Sequence, residues 1–154
     1  MNEFKITPDP LTSDAIKHLL QTHLNLMHSQ SPACSVHALP LEKLRAKDVS
    51  FWSIWNGEEL LGCGALKEIN PTHGEIKSMH VYKKYRGRGI SKIMLEHIIK
   101  TAKSRGYNKL FLETGSQIEF APARALYKNA GFSECPPFEG YNEDPNSTFM
   151  TREI

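Results

Sequence analysis

The chain has no apolar run long enough to cross a membrane. Its opening stretch carries Glu3, Lys5, Pro8 and Pro10 where a secretory leader would carry a basic segment followed by an apolar one. Its three cysteines, Cys34, Cys63 and Cys135, are odd in number and never fall at C-x-x-C spacing. Neither a disulfide framework nor a zinc ribbon is indicated, and a reducing cytoplasm suits them. Charge of one sign is also missing: 19 Lys and Arg against 17 Asp and Glu leave +2. No broad basic field is available to draw in nucleic acid or an anionic membrane. Internal repeats and low-complexity tracts are absent. These absences leave a cytoplasmic globular chain, and 154 residues fit one domain, 1–154, around one core.

What is present alternates between the periods of strand and helix. Phe4 and Ile6 predict a short strand that Pro8 and Pro10 stop. Thr12 or Ser13 then caps a helix, with Ile16, Leu19, Leu20, His23, Leu24 and Met27 on one face. His18 and His23, five residues apart, ride on different faces of it and do not pair as metal ligands. From Ser29 to Pro40 the sequence is loop-like, followed by a short helix over Leu41 to Arg45. Val49 to Trp55 and Leu60 to Ile69 flank an Asn56-Gly57 hairpin turn, with Gly62 and Gly64 marking a bulge or a close approach in the second strand. Asn70 to Gly74 turns the chain again into Glu75 to Val81, completing a meander.

Ile90, Ile93, Met94, His97, Ile98 and Ala102 predict a long amphipathic helix closed near Gly106. Leu110 to Glu113 follows as a buried strand, Ala121 to Ala130 as a helix with Gly131 at its end, and Thr148 to Arg152 as a last strand. Strands in a run followed by strand, helix, strand predict an α+β fold, a mixed sheet with helices on both faces.

Between the meander and the long helix stands Tyr85-Arg86-Gly87-Arg88-Gly89-Ile90-Ser91-Lys92. A strand running into a glycine-rich turn and then a helix offers free N–H groups backed by the helix dipole, a seat for phosphate oxygens. Gly87 and Gly89 permit close approach, and Arg86, Arg88 and Lys92 add positive charge. The alternative for so basic a cluster is a solvated face. A P-loop is excluded because Gly-Lys-Ser/Thr is missing. A dinucleotide fingerprint is excluded because Lys92 stands where its third glycine belongs and the strands before it are not a βαβ unit.

These residues resemble the GNAT superfamily of N-acetyltransferases, whose signature is Arg/Gln-x-x-Gly-x-Gly/Ala between the fourth strand and the third helix. Arg86, Gly89 and Ser91 take those places, with Ser replacing the last small residue. The resemblance runs from Val49 to Phe132, through Glu75-Ile76-Lys77-Ser78-Met79-His80-Val81 and Ala125-Leu126-Tyr127-Lys128-Asn129-Ala130-Gly131-Phe132. It implies a mostly antiparallel sheet of six to seven strands, splayed between strands 4 and 5, with acetyl-CoA as the donor and no metal. The cofactor's pantetheine arm would lie in the splay against the backbone of Met79, His80 and Val81. Its pyrophosphate would lie on the turn from Arg86 to Lys92, which includes Ile90 and Ser91. An amine would attack the thioester directly.

By the same resemblance Glu75 is the leading base and His80 the second candidate; a strand-end charge beside Lys77 is the other reading of Glu75. Tyr127 matches the tyrosine that protonates or hydrogen-bonds the departing thiolate, against the alternative of a core tyrosine. Phe120 stands where many relatives carry an Asn that contacts the cofactor, so Gly115, Ser116 and Gln117 are possible substitutes. The acceptor pocket is expected between the Ser29 to Pro40 loop and Pro136 to Ser147, with His37 and Tyr141 as its candidate contacts. Glu139, Glu143 and Asp144 would favour a cationic small-molecule amine. A protein lysine or N-terminal acetyltransferase and a non-catalytic acetyl-CoA sensor are the competing readings. A homodimer using apolar residues near Phe149 is expected as an option.

Overall fold

A computed structural model describes residues 3–36 and 39–154; the candidate contact His37 lies outside the described residues. Lys5–Pro8 forms strand β1, and Ser13 caps helix α1 (Asp14–Gln30), its hydroxyl accepting from the Ile16 N–H at 3.2 Å. A short helix α2 (Leu41–Leu44) leads into β2 (Val49–Asn56), β3 (Glu59–Asn70) and β4 (His73–Val81), the expected meander. Helix α3 (Ile90–Ser104), β5 (Lys109–Gly115), helix α4 (Ala121–Asn129), β6 (Ser133–Glu134) and β7 (Ser147–Glu153) complete the order.

The strands form one seven-stranded sheet in the order β1-β2-β3-β4-β5-β7-β6. Every neighbouring pair is antiparallel except β4 and β5, which the crossover through α3 makes parallel. The expected mixed α+β architecture is the one present. Two apolar layers hold the helices to its faces. Ile90, Met94, Leu95, Ile98 and Ala102 of α3 pack with Leu66, Ile76, Leu110, Leu112 and Met150 of the sheet. On the other face Ile16, Leu19 and Leu44 pack with Phe51, Cys63 and Ala65. Fully burying each large aliphatic side chain contributes about 1.5–3 kcal/mol, which is why the helical stripes legible in the sequence settle on the sheet.

Three details depart from the sequence reading. The loop expected from Ser29 starts two residues later, because α1 continues to Gln30. The two-residue strand β6 was not predicted: Ser133 and Glu134 are both exposed and carry no alternation, and only pairing with β7 makes them a strand. Phe149, expected to be available to a second copy, is buried. β7 lies inside the sheet, and Phe149 packs edge-on against Phe138 with ring centroids 5.9 Å apart and near Tyr141 at 5.4 Å.

Candidate active site

The parallel pairing of β4 with β5 joins His73 to Lys109 and Ile76 to Leu112 and stops there, although β4 stays paired with β3 as far as Val81. Beyond Ile76 the β5 side of β4 is therefore an unpaired edge. A bulge makes the divergence. Ala65 faces Lys77 and Cys63 faces His80, so Gly64 alone opposes Ser78 and Met79. Ser78 takes up the extra residue at φ 55°, a left-handed conformation that costs a non-glycine residue about 1–2 kcal/mol. Gly64 allows it: an added Cβ would lie 2.8 Å from Met94 Cγ and 3.0 Å from Met79 Sδ. The sequence marked Gly64 as a bulge or a close approach, and it is both.

Val81 leads through a 3-10 turn, Lys83–Tyr85, to the glycine turn. Gly87 (φ 82°) and Gly89 (φ 77°) are left-handed, and Gly89 is the N-cap of α3. No side chain caps this end and its first turn holds no acidic residue, so the N–H groups stay available to an anion. An added Cβ at either glycine meets nothing within 4 Å, so each would project into open space. That space is the end of a cleft of about 380 Å³ between β4, the turn and α4. Every predicted cofactor contact lines it except Arg88, whose guanidinium instead lies 5.7 Å over the Tyr85 ring. Arg86 is held by its Nε donating to the Val81 carbonyl at 3.2 Å.

A second, smaller cavity of about 130 Å³ lies farther along the splay. β4 contributes Glu75, Lys77 and Ser78, β5 contributes Glu113 and Thr114, and Ser31, Ser35 and Val36 close it from the end of α1. His23, Met27, Met79, Phe120, Ala123 and Tyr127 line both spaces, forming a neck between them.

Glu75 is only 4% exposed, so it is not a solvated strand-end charge. Its Oε2 accepts from the Tyr141 hydroxyl at 2.6 Å and from Lys77 Nζ at 3.1 Å, and Lys77 Nζ also donates to Tyr141 Oη at 2.8 Å. Glu75 and Lys77 meet because side chains two apart on a strand share a face. Tyr141, predicted as an acceptor contact, stands behind this pair and does not line the cavity. Burial and the Glu75 carboxylate push its phenol far above the ordinary value. The loop carboxylate of Asp144 is spent locally, accepting from Ser35 Oγ and from the Asn146 N–H.

Tyr127 is buried at the neck, and burial, with Glu113 adding repulsion, pushes its phenol well above its usual value. His80 is buried with its Nδ1 3.0 Å from Nδ1 of His23 on α1. Burial lowers His80 to about 3, with His23 and Arg86 adding to the shift, and burial lowers His23 to about 4. Both imidazoles are neutral at pH 7, and His80 Nε2 is buried without a hydrogen-bond partner among the described residues. Nothing in the sequence signals this pairing, because 57 residues separate its members.

Phe120 fills the place over Gly115 so closely that an added Cβ there would fall 2.2 Å from Phe120 Cδ2. Gln117 turns away from the cleft, its Nε2 3.3 Å from Ser31 Oγ and from Asn146 Oδ1. Arg124 Nη1 fixes the loop by donating to the carbonyls of Gly115 and Gln117 at 2.7 and 2.8 Å.

A sheet opened beside a helix-capping glycine turn defines an enzyme class that accommodates a long phosphorylated donor, and the comparisons agree. The model of the acetyltransferase (GNAT) family matches residues 16–132, and the chain belongs to that family. It is 51% identical over 146 residues to an uncharacterized N-acetyltransferase of Bacillus subtilis, covering 95% of this chain and 97% of that one. It is 34% identical to a protein of Azospirillum brasilense named IAA acetyltransferase, covering 92% of each. Its fold matches a GNAT family acetyltransferase from Elizabethkingia anophelis with acetyl-CoA bound at a TM-score of 0.73 and 21% identity, over 100% of both chains. The chain is an acetyl-CoA-dependent N-acetyltransferase. The residues present fit that donor, since the glycine turn, the open α3 N-terminus and the unpaired β4 edge lie along one cleft. Among the described residues no helix is long and apolar enough to cross a membrane, and no group of three His, Cys, Asp or Glu side chains is placed to hold a metal ion.

Proposed function

We propose that the chain acetylates a primary amine of a small molecule by direct attack on the thioester, with Glu75 receiving the amine's proton and Tyr127 serving the departing thiolate. The observation that carries this reading is the pair of connected cavities. The larger holds the glycine turn, the smaller holds Glu75, and Tyr127 lies at the neck between them. Acetyl-CoA, when bound, supplies an acyl carbon already activated as a thioester. Backbone N–H groups near Met79 and His80, on the unpaired edge, are donors to the carbonyl oxygen as negative charge develops there. An ammonium has no lone pair, so its proton must leave first. Glu75 Oε2 is taken by Lys77 and Tyr141, which leaves Oε1 to receive that proton directly or through a water. His80 is the poorer candidate: its Nδ1 faces His23 and it lines the larger cleft, not the smaller cavity that holds Glu75.

As the N–C bond forms, the C–S bond breaks, and the Tyr127 hydroxyl donates a hydrogen bond to the sulfur. Its raised pKa keeps it protonated throughout, which suits a donor better than a full acid. A base candidate 4% exposed inside a small cavity favours a small acceptor over a lysine on a protein surface.

The test is acceptor-dependent thiol release across primary amines, lysine peptides and, because one relative is named for it, IAA. Small amines are expected to saturate and peptides to be inert. Glu75→Gln is expected to lower kcat by about 10²–10³-fold while leaving acetyl-CoA affinity in place. CoA binding with no acceptor-dependent release would make the chain a sensor instead.

A further inference from the structure

The floor of the smaller cavity is an ion pair with unused valences. Lys77 Nζ donates to Glu75 Oε2 at 3.1 Å and to Tyr141 Oη at 2.8 Å, which accounts for two of the three N–H bonds of an ammonium. Both known contacts of Glu75 fall on Oε2, so Oε1 has no partner among the described residues. The two side chains are 9% and 6% exposed and both line the cavity. A buried ion pair that served only packing would be expected to close its remaining hydrogen-bond positions within the protein, because an open one in a dry site is costly.

Here one acceptor atom and one donor hydrogen are left over, on two ion-paired residues that line the same cavity. Their signs are those that complement an ammonium beside a carboxylate. The third charged group at the cavity, Glu113, is already engaged, accepting from Ser147 Oγ at 2.8 Å. The rest of the lining near the pair is small or apolar, with Ser31, Ser35, Val36 and Ile76, and leaves modest room for a side chain.

We propose that the acceptor is a small α-amino acid, its ammonium received by Glu75 Oε1 and its carboxylate held by the free N–H of Lys77. This inference rests on the smaller cavity being the acceptor site. In it Lys77 is a specificity-determining residue and Tyr141 a positioning residue, whose hydroxyl ties Lys77 to Glu75 and fixes the spacing of the two charges. The chemistry is the same transfer: the first ammonium proton goes to Glu75, the amino nitrogen bonds to the acyl carbon, the thioester C–S bond breaks, and the second proton that nitrogen sheds as the amide forms passes to the departing thiolate, so that CoA leaves as the thiol. The carboxylate takes no part except to anchor. A plain amine satisfies half of the floor and leaves the Lys77 N–H unpaired, whereas a zwitterion satisfies both halves with charge-assisted hydrogen bonds.

The test compares alanine and serine with their amides and with ethylamine and ethanolamine. kcat/KM is read by thiol release, and acceptor binding to the CoA complex is read by calorimetry. The amino acids are expected to exceed the amides and amines by about tenfold or more in kcat/KM, the worth of one charge-assisted hydrogen bond. Lys77→Gln is expected to collapse that ratio toward one, and Lys77→Arg to restore part of it. The wild-type comparison decides even if Lys77→Gln folds poorly. Amides or amines that match the amino acids overturn the proposal and leave small-amine acetylation standing. If no primary amine is acetylated although acetyl-CoA binds, the acetyl-transfer reading of the site falls. Calorimetry then decides the zwitterion separately: alanine binding that Lys77→Gln removes supports it, and no binding overturns it.

Discussion

Tyr127 illustrates how little a residue type says before its surroundings are known. As a sequence position it matched a donor to sulfur by resemblance, with a core tyrosine as the alternative, and the structure makes it both buried and part of the wall of each cavity. Tyr127→Phe keeps the ring and its edge contact with Phe132, at 6.0 Å between centroids, and removes only the hydroxyl. The expected result is kcat lower by about 10–100-fold with acetyl-CoA affinity kept, the loss of one transition-state hydrogen bond. Equal turnover in a thiol-release assay removes Tyr127 from the chemistry. Glu75 was also ambiguous in the sequence. Its neighbour Lys77 was visible there, but Tyr141, 66 residues away, was not visible as a hydrogen-bond partner.

At the scale of the element, the glycine turn and the bulge divide the work of making a cleft. The bulge at Ser78 turns β4 away from β5, and the turn ends the strand with helix N–H groups aimed at what enters. Gly89→Val tests the turn. A β-branched residue at φ 77° is strained, and its side chain would project into the open space at the cleft's end. Acetyl-CoA affinity is expected to drop by about 100-fold or more, measured by calorimetry, with helix content unchanged by circular dichroism. Unchanged affinity would detach the turn from phosphate binding. Both glycines of the turn were legible in the sequence because φ > 0 and a helix start have compositional signatures. The left-handed Ser78 was not, since serine carries no such signal and only the two-against-one pairing with Gly64 imposes it.

Across the whole molecule, pH is expected to act through the buried histidine pair. His23 is held at about 4 and His80 at about 3, against an unfolded value of 6.5, so the unfolded chain binds more protons between those limits. Their contribution is complete above about pH 6.5 and is lost as pH falls through the window toward 4 and 3. The slope is expected to be about 1.4–2.7 kcal/mol per pH unit, one to two protons' worth. Urea midpoints from pH 7 to pH 5 measure it. Replacing both histidines by Asn is expected to flatten the profile, and an unchanged slope would assign the acid sensitivity to other groups.

The sequence by itself determined the order of the main elements, the meander and the glycine turn, because each rests on local periodicity or on residues within a few positions of one another, and it determined the family through motifs spread from Val49 to Phe132. The tertiary structure decided which residues of different elements meet. It closed Glu75 and Lys77 with Tyr141, set His23 against His80, buried Phe149 and left the edge of β4 unpaired. The physical reason is that side-chain hydrogen bonds and burial are settled by packing between elements distant in sequence, which no local pattern records. The donor was therefore readable from the glycine turn together with the segments on either side of it, and the surroundings of Glu75 became readable only when elements distant in sequence came together.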